Sequence, residues 1–305
     1  MNSLLESFKQ DYQAKGRAKT SVKEVMRRLN AFIDYLGACG ITRVDQISRE
    51  LVRAYQTESY QRLNRFGRPN SISYQNELLC AVKLFTRFLK TNNYIVADPA
   101  EAIPYAKKPK RLPRSILTKT EVRKIMQIPD TNTLIGYRNR TILEVLYSTG
   151  IRRAELLNLT LADVDFHDGF LRITGKGNKD RIVPLGRIAC RYLENYIKSV
   201  RPEFIRDPYN SYVFLSLIGA RLSNTVVLKF IKRYAQKAGI KKPVCCHTFR
   251  HTCATLMLNN KANIKVIQEL LGHASLDTTQ IYTRVSITDL KAVHRQCHPR
   301  EKDKE

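Results

Sequence analysis

Acidic residues are scarce in this chain: 27 Asp and Glu stand against 53 Lys and Arg, a formal charge of +26. Such an excess favours a polyanionic partner, nucleic acid first and an anionic membrane surface second. Long apolar runs are missing too. No stretch approaches the roughly 20 apolar residues of a spanning helix, and the N-terminus, MNSLLESFKQDYQAK, lacks a signal-peptide pattern. No membrane partner is therefore expected. Paired cysteines are absent: the seven cysteines form no CxxC pair and show no regular spacing. That argues against a metal site and a disulfide framework, and for a reducing, intracellular location. Cys245 and Cys246 are adjacent, which suits burial better than a bridge. There is no internal repeat, and the only biased segment is the charged end, PREKDKE.

What remains is mostly helical periodicity, in a chain of 305 residues that is long enough for two domains. Residues 1–102 read as an all-helical bundle. Leu4, Leu5, Phe8 and Tyr12 predict one helix, and Val22, Val25, Met26, Leu29, Phe32, Ile33 and Leu36 a longer second. Ile47, Leu51 and Tyr55 mark a third begun near Ser48; Tyr74, Leu78, Ala81, Val82, Phe85, Phe88 and Leu89 mark a fourth. This part carries 16 basic and 10 acidic residues, so most of the positive charge lies beyond it. Residues 103–117 read as a basic linker. Pro104, Pro109 and Pro113 block helix continuation, and five cations between Lys107 and Arg114 keep the strand extended. It is either a solvated hinge or, as the charge favours, one that crosses a phosphate backbone.

Residues 118–298 read as a second domain, with 299–305 a charged tail. Thr118 and Glu121 make a capping box for a first helix. Another helix runs from near Tyr137 to Gly150, and Arg152 and Arg153 open the next, with Glu155 one turn on to pair with Arg152. The period then changes: Phe170, Leu171 and Ile173, and Ile182, Val183 and Leu185, are strand-like around a Gly-rich turn holding Lys176. Asp163 and Asp165 have no third carboxylate at metal-binding spacing and read as caps and surface charges. Helices return at about 188–199 and 224–238. In residues 246–285, Phe249, Cys253 and Leu256 fall on one face of a helix, with His247, Arg250 and His251 on another. Ile264, Ile267, Leu270 and Leu271 mark a helix that Gly272 is placed to end. Ser275 can cap a short helix carrying Tyr282. The fold class is thus mainly α with a small β-sheet.

These side chains match what attack on a phosphodiester needs. Guanidinium forks suit the charge that grows on non-bridging oxygens, and Arg152 and Arg250 are candidates. Lys176, on a hairpin, could protonate the leaving oxygen. His247 could move the nucleophile's proton. Tyr282, whose free pKa is about 10, could attack once nearby cations ease its ionisation. A tyrosyl ester stores the broken bond, so no cofactor is expected, and no metal if the cations stabilise the charge. Each residue alone has a plainer reading: Tyr282 as packing, His273 as a helix-end group, Arg152 as surface charge, Lys176 as part of a simple turn, His251 as a packed neighbour.

The order of the elements narrows this. T-G-I-R-R-A-E (149–155), the G-K-G hairpin (175–181), H-T-F-R-H (247–251), L-L-G-H (270–273) and the segment 278–285 around Tyr282 resemble the tyrosine recombinase (phage integrase) family, close to its Xer-type members. The resemblance implies that Arg152 and Arg250 are catalytic arginines, Lys176 the hairpin lysine, His247 and His273 catalytic histidines, and Tyr282 the nucleophile. It implies a helical, SAM-like core-binding domain over 1–102 and an α+β catalytic domain over 118–298. It also implies cutting and rejoining through a 3′-phosphotyrosyl intermediate, with the two domains clamping duplex DNA at specific recombination sites. Four protomers would assemble on two sites, as a homo-oligomer or with a related recombinase, in a cytoplasmic, nucleoid-associated setting. Residues 287–296 would form a docking helix with Leu290 and Val293 as its apolar face, placed on its own domain or a neighbour's. Departures are peripheral: Leu256 and Arg284 stand where Xer-type chains often carry histidine, and 259–261 replaces a glycine-containing turn. They bear on target preference or partner contacts.

Two other readings stay open at this point. A type IB topoisomerase-like enzyme would use similar chemistry without exchanging partners, and a DNA-binding accessory protein would not cut at all. Within the recombinase reading, Xer-type dimer resolution and mobile-element integration or excision compete. The bundle begins at the N-terminus, leaving no room for an arm-binding domain, and nothing is inserted between Lys176 and His247; both favour the Xer-like build.

Overall fold

The computed structural model describes residues 1–64, 67–107, 116–174, 180–272 and 287–302. The chain divides into two compact units, Met1–Leu112 and Pro113–Glu305. The described residues are mainly α-helical with a small three-stranded sheet.

The first unit is built from α1 (Asn2–Ala14), α2 (Lys19–Ala38), α3 (Arg49–Gln61) and α4 (Ile72–Thr91). Ser48 and Ser71 start the last two: their hydroxyls accept from the N–H of Leu51 at 3.2 Å and Tyr74 at 3.3 Å, satisfying donors that a helix start leaves open. Leu29, Phe32 and Leu36 on α2 and Val82, Phe85 and Leu89 on α4 are fully buried, as their three- and four-residue spacing requires. Aromatic edges close the centre, with Phe8 and Phe85 at 5.6 Å and Phe32 and Tyr55 at 4.9 Å between ring centroids. Burial of each such side chain stabilises by roughly 1.5–3 kcal/mol.

The expected linker is anchored at both ends. Ile103 lies in the core of the first unit, and the Ala106 N–H donates to Asn76 at 2.9 Å. At the other end Leu117 is buried in the second unit and its N–H donates to Thr252 at 3.0 Å. Residues 108–115, with most of the basic run, lie outside the described residues.

The second unit is organised around α6 (Leu134–Thr149), which is buried on all sides from Thr141 to its C-terminal Gly150. It packs against α8 (Arg187–Asn195) and α10 (Cys246–Asn259). Before it comes α5 (Lys119–Met126), begun by the expected capping box: the Glu121 N–H donates to the Thr118 hydroxyl at 3.1 Å and the Thr118 N–H to Glu121 at 2.7 Å. A helix buried all round must satisfy its polar groups internally. Asn139 donates to the Tyr234 hydroxyl at 2.9 Å, and Arg138 to the Leu215 carbonyl at 2.8 Å.

After the short α7 (Arg153–Asn158), three antiparallel strands follow in the order β1 (Val164–Asp165), β2 (Phe170–Thr174) and β3 (Asp180–Pro184). Leu171 pairs with Val183 and Ile173 with Arg181, so these four share the face turned to the core. The sequence did not foresee β1, because two residues show no period. Asp163 and Asp165 behave as turn caps, accepting from the N–H of Thr160 at 2.8 Å and Asp168 at 2.7 Å. The helix expected to reach residue 199 stops at Asn195 and continues as a π turn, Tyr196–Val200.

Among the described residues the remaining helices are α9 (Asn224–Lys237), α10, α11 (Ile264–Leu271) and α12 (Ile287–Cys297). Where a glycine turn was expected and Lys261 stands, the backbone still takes the left-handed form, with φ +64°. The N–H groups of Lys261 and Ala262 cap the carbonyls of Leu258 and Met257 at 2.9 and 3.0 Å.

On α12, Leu290 is buried and Val293 packs on the core of this same unit. The charged end is no loose tail as far as Lys302. Pro299–Lys302 form a 3-10 turn, and Arg300 is buried against Glu144, with bonds of 3.0 and 2.6 Å. The short cap that Ser275 was expected to make lies outside the described residues.

Candidate active site

The site forms where α6 ends, α7 begins and α11 stops. Gly150 ends α6 in the left-handed conformation, φ +61°. A Cβ there would come within 2.8 Å of Leu271, so close packing as well as φ demands glycine. The Gly150 carbonyl then accepts from Arg250 Nη1 at 2.7 Å.

Arg152 lies at the N-cap of α7. Glu155, one turn on, accepts from the Arg152 backbone N–H at 2.7 Å and from its Nη1 at 2.8 Å. A carboxylate in the first turn also suits the positive end of the helix. The expected Arg152–Glu155 pair is therefore present, and it is wider than expected. Arg181, from β3, donates to the same carboxylate through Nη1 at 3.0 Å and Nη2 at 2.8 Å. Burial would raise the Glu155 pKa, but hydrogen bonds from Arg181 and Arg152 outweigh it and hold the carboxyl below its ordinary value.

The last turn of α11 collects the three arginines. Gly272 ends this helix in the left-handed form, φ +64°, as the sequence suggested. A helix end leaves its carbonyls without intrahelical partners and partly negative. Arg181 Nε donates to the Leu270 carbonyl at 3.2 Å, Arg250 Nη2 to that of Leu271 at 2.5 Å, and Arg152 Nη2 to that of Gly272 at 2.7 Å. Three successive carbonyls thus fix three guanidinium groups that come from α7, β3 and α10.

Their exposure differs. Arg250 is buried at 7% accessibility, whereas the Arg152 side chain keeps 40%. Burial, and then repulsion from Arg152, lower the Arg250 pKa to about 10. Three cations meet one buried carboxylate here, a local excess of positive charge that an anion would relieve.

His247 is exposed on the first turn of α10, three residues before Arg250. The expected face shared by His247, Arg250 and His251 is split: both histidines are exposed and Arg250 is directed inward. Lys176, His273 and Tyr282 lie outside the described residues. Among the described residues, no cluster of three His, Cys, Asp or Glu could hold a metal ion. No helix among them is long and apolar enough to cross a membrane.

Sequence reasoning gave Arg181 no role. A signal existed: an arginine two residues from Val183, and so on the buried face of its strand. The three carbonyls had no signal, since every residue carries one.

Residues 115–288 match the model of the phage integrase family. The tyrosine recombinase XerD of Staphylococcus aureus (strain N315) is 35% identical over 307 residues, covering 98% of this chain and 100% of the relative. That of Staphylococcus epidermidis (strain ATCC 35984) is 36% identical over 301 residues, with the same coverage. The chain belongs to the phage integrase family and is a tyrosine-type site-specific recombinase. Solved structures agree on the fold. A lambda integrase (75–356) dimer bound to a COC′ core site aligns with TM-score 0.69 and 19% identity, over 92% of this chain and 99% of that one. XerH bound to palindromic difH, a post-cleavage complex, aligns with TM-score 0.68 and 22% identity, over 93% and 82%.

Proposed function

We propose that the chain cuts and rejoins duplex DNA at specific recombination sites through a 3′-phosphotyrosyl intermediate, with Arg152, Lys176, His247, Arg250, His273 and Tyr282 as its catalytic set. The observation that carries this is the convergence of Arg152 and Arg250 on the end of α11, held by backbone carbonyls with one carboxylate between three cations. Fixed guanidinium groups in a part-buried site stabilise charge that grows on phosphate oxygens without reorganising at the moment of reaction. In this reading Arg250 and Arg152 hold the scissile phosphate. Tyr282 attacks it, Lys176 protonates the departing 5′-oxygen, and His247 and His273 move or hold the nucleophile's proton.

In the same reading residues 1–102 form a DNA-binding domain, and residues 103–117 carry cations along the phosphate backbone. The enzyme acts as an assembly of four protomers, alike or paired with a related recombinase, in the cytoplasm at the nucleoid. An Xer-type role in dimer resolution is supported over mobile-element integration by the match along the whole length of the XerD relatives.

The test is a nicked suicide duplex carrying a site obtained by selection of bound DNA. Wild-type protein should form a covalent adduct that maps to Tyr282. Tyr282→Phe should bind the same DNA and trap nothing. Adduct formation by Tyr282→Phe at the wild-type level would sink the assignment. Plasmid relaxation without any recombinant product on site-bearing DNA would favour the topoisomerase-like alternative.

A further inference from the structure

Glu155 has 7% of its side chain exposed and accepts four hydrogen bonds, two from Arg152 and two from Arg181. The two arginines are not equivalent. Arg152 keeps 40% of its side chain exposed; Arg181 keeps 13%. Arg152 is thus the one an incoming phosphate can reach, and Arg181 lies behind it.

The Arg181 guanidinium also lies against Gly272. A Cβ on that residue would be 3.0 Å from Cζ and Nε of Arg181, so glycine lets the planar group rest on the turn. With its Nε bond to the Leu270 carbonyl, Arg181 ties together β3, the first turn of α7 and the last turn of α11. β3 is the strand that follows Lys176 in the chain, and Gly272 precedes His273.

We propose that Arg181 is a positioning residue for strand cleavage: its two-pronged grip on Glu155 sets the Arg152 guanidinium, while its third bond holds the fork to the last turn of α11. The proposal rests on the recombinase roles given above for Arg152 and Tyr282. A fork is needed because three bonds leave one planar group in fixed directions; an ammonium is a single point with free rotation. Without the fork, Glu155 keeps only Arg152, and the pair can swing together away from the α11 carbonyls.

The test uses the full chain and the nicked suicide duplex, in single turnover. Arg181→Gln should slow adduct formation by on the order of 100-fold, the scale of a small misplacement of a catalytic group. Its affinity for the same duplex should stay close to wild type, measured well below a melting temperature that falls because Glu155 loses a partner. Arg181→Lys should not rescue the rate. In an Arg152→Gln background, Arg181→Gln should add less than about 3-fold, because residues acting as a unit are not additive.

A rate within about 3-fold of wild type for Arg181→Gln or Arg181→Lys would overturn the proposal. So would a full, multiplying penalty in the Arg152→Gln background, which would mark Arg181 as ordinary structural support. Failure of wild-type protein to form the adduct would instead overturn the functional reading, and the positioning role with it.

Discussion

The two units stabilise themselves by different means. Among the described residues of the first, only uncharged polar side chains are buried: Ser59, Gln75 and Thr86. Its ion pairs, such as Glu6 with Lys9 and Asp11 with Lys15, lie at the surface of α1. The second unit buries Arg138, Glu144, Arg201, Arg250 and Arg300, with His294 and His298. An apolar bundle core needs only shape and volume. A buried charge is tolerated only where partners are fixed in number and direction. The second unit therefore spends stability on geometry, and one of its buried charges, Arg250, belongs to the site.

The comparison breaks most sharply at Glu144. It is fully buried and accepts from Arg140 at 3.0 Å and from Arg300 at 3.0 and 2.6 Å. Glu144→Gln leaves two cations beside a neutral group and should destabilise the second unit by about 3–5 kcal/mol. A lower urea midpoint for that unit, with that of the first unchanged, is the expected outcome.

A smaller and more local effect concerns the docked C-terminal segment. His294 and His298 stack at 4.7 Å, and their Nε2–H groups donate to the carbonyls of Ser148 at 2.8 Å and Tyr147 at 3.0 Å. Nδ1 of His298 accepts the Arg300 N–H at 3.2 Å, so this ring is held in its neutral form. Burial lowers the pKa of both histidines from 6.5, and for His298 the neighbouring His294 adds to it. The undocked rings take up protons that the docked rings refuse. Docking is thus complete above about pH 6.5 and weakens as pH falls below it toward the lowered native values. The protection factors of residues 287–302, which allow for the slower intrinsic exchange at lower pH, should fall between pH 7.5 and 5.5, while α2 and α4 stay protected. Equal protection of the segment at both values would refute this.

The least effect belongs to the surface of the first unit. Glu6→Gln removes the pair with Lys9, 2.8 Å long and exposed on both sides. It should change stability by no more than about 0.5 kcal/mol, vanishing in high salt. A loss near that of Glu144→Gln would erase the contrast between the units.

Much of this architecture was legible in the sequence. The helices of the first unit follow from the spacing of Leu29, Phe32 and Leu36 and of Val82, Phe85 and Leu89. Thr118 with Glu121 announced a helix start, and Gly272 a helix stop. Arg152 and Glu155 were readable as a pair, because their separation is local. Arg300 with Glu144 was not, nor was Arg181 with Glu155: their partners lie far apart in the chain, and no period links them.

The sequence by itself determined the inventory: where helices start and stop, which side chains carry charge, and the ordered motifs that mark the family. Only the tertiary structure decided which arginine reaches outward and which stands behind it. That choice depends on three carbonyls at the end of α11, groups every residue possesses and only a folded chain aims. Local hydrogen bonds and apolar spacing are written in neighbouring residues. The direction of a guanidinium fork is set by acceptors that folding brings to it.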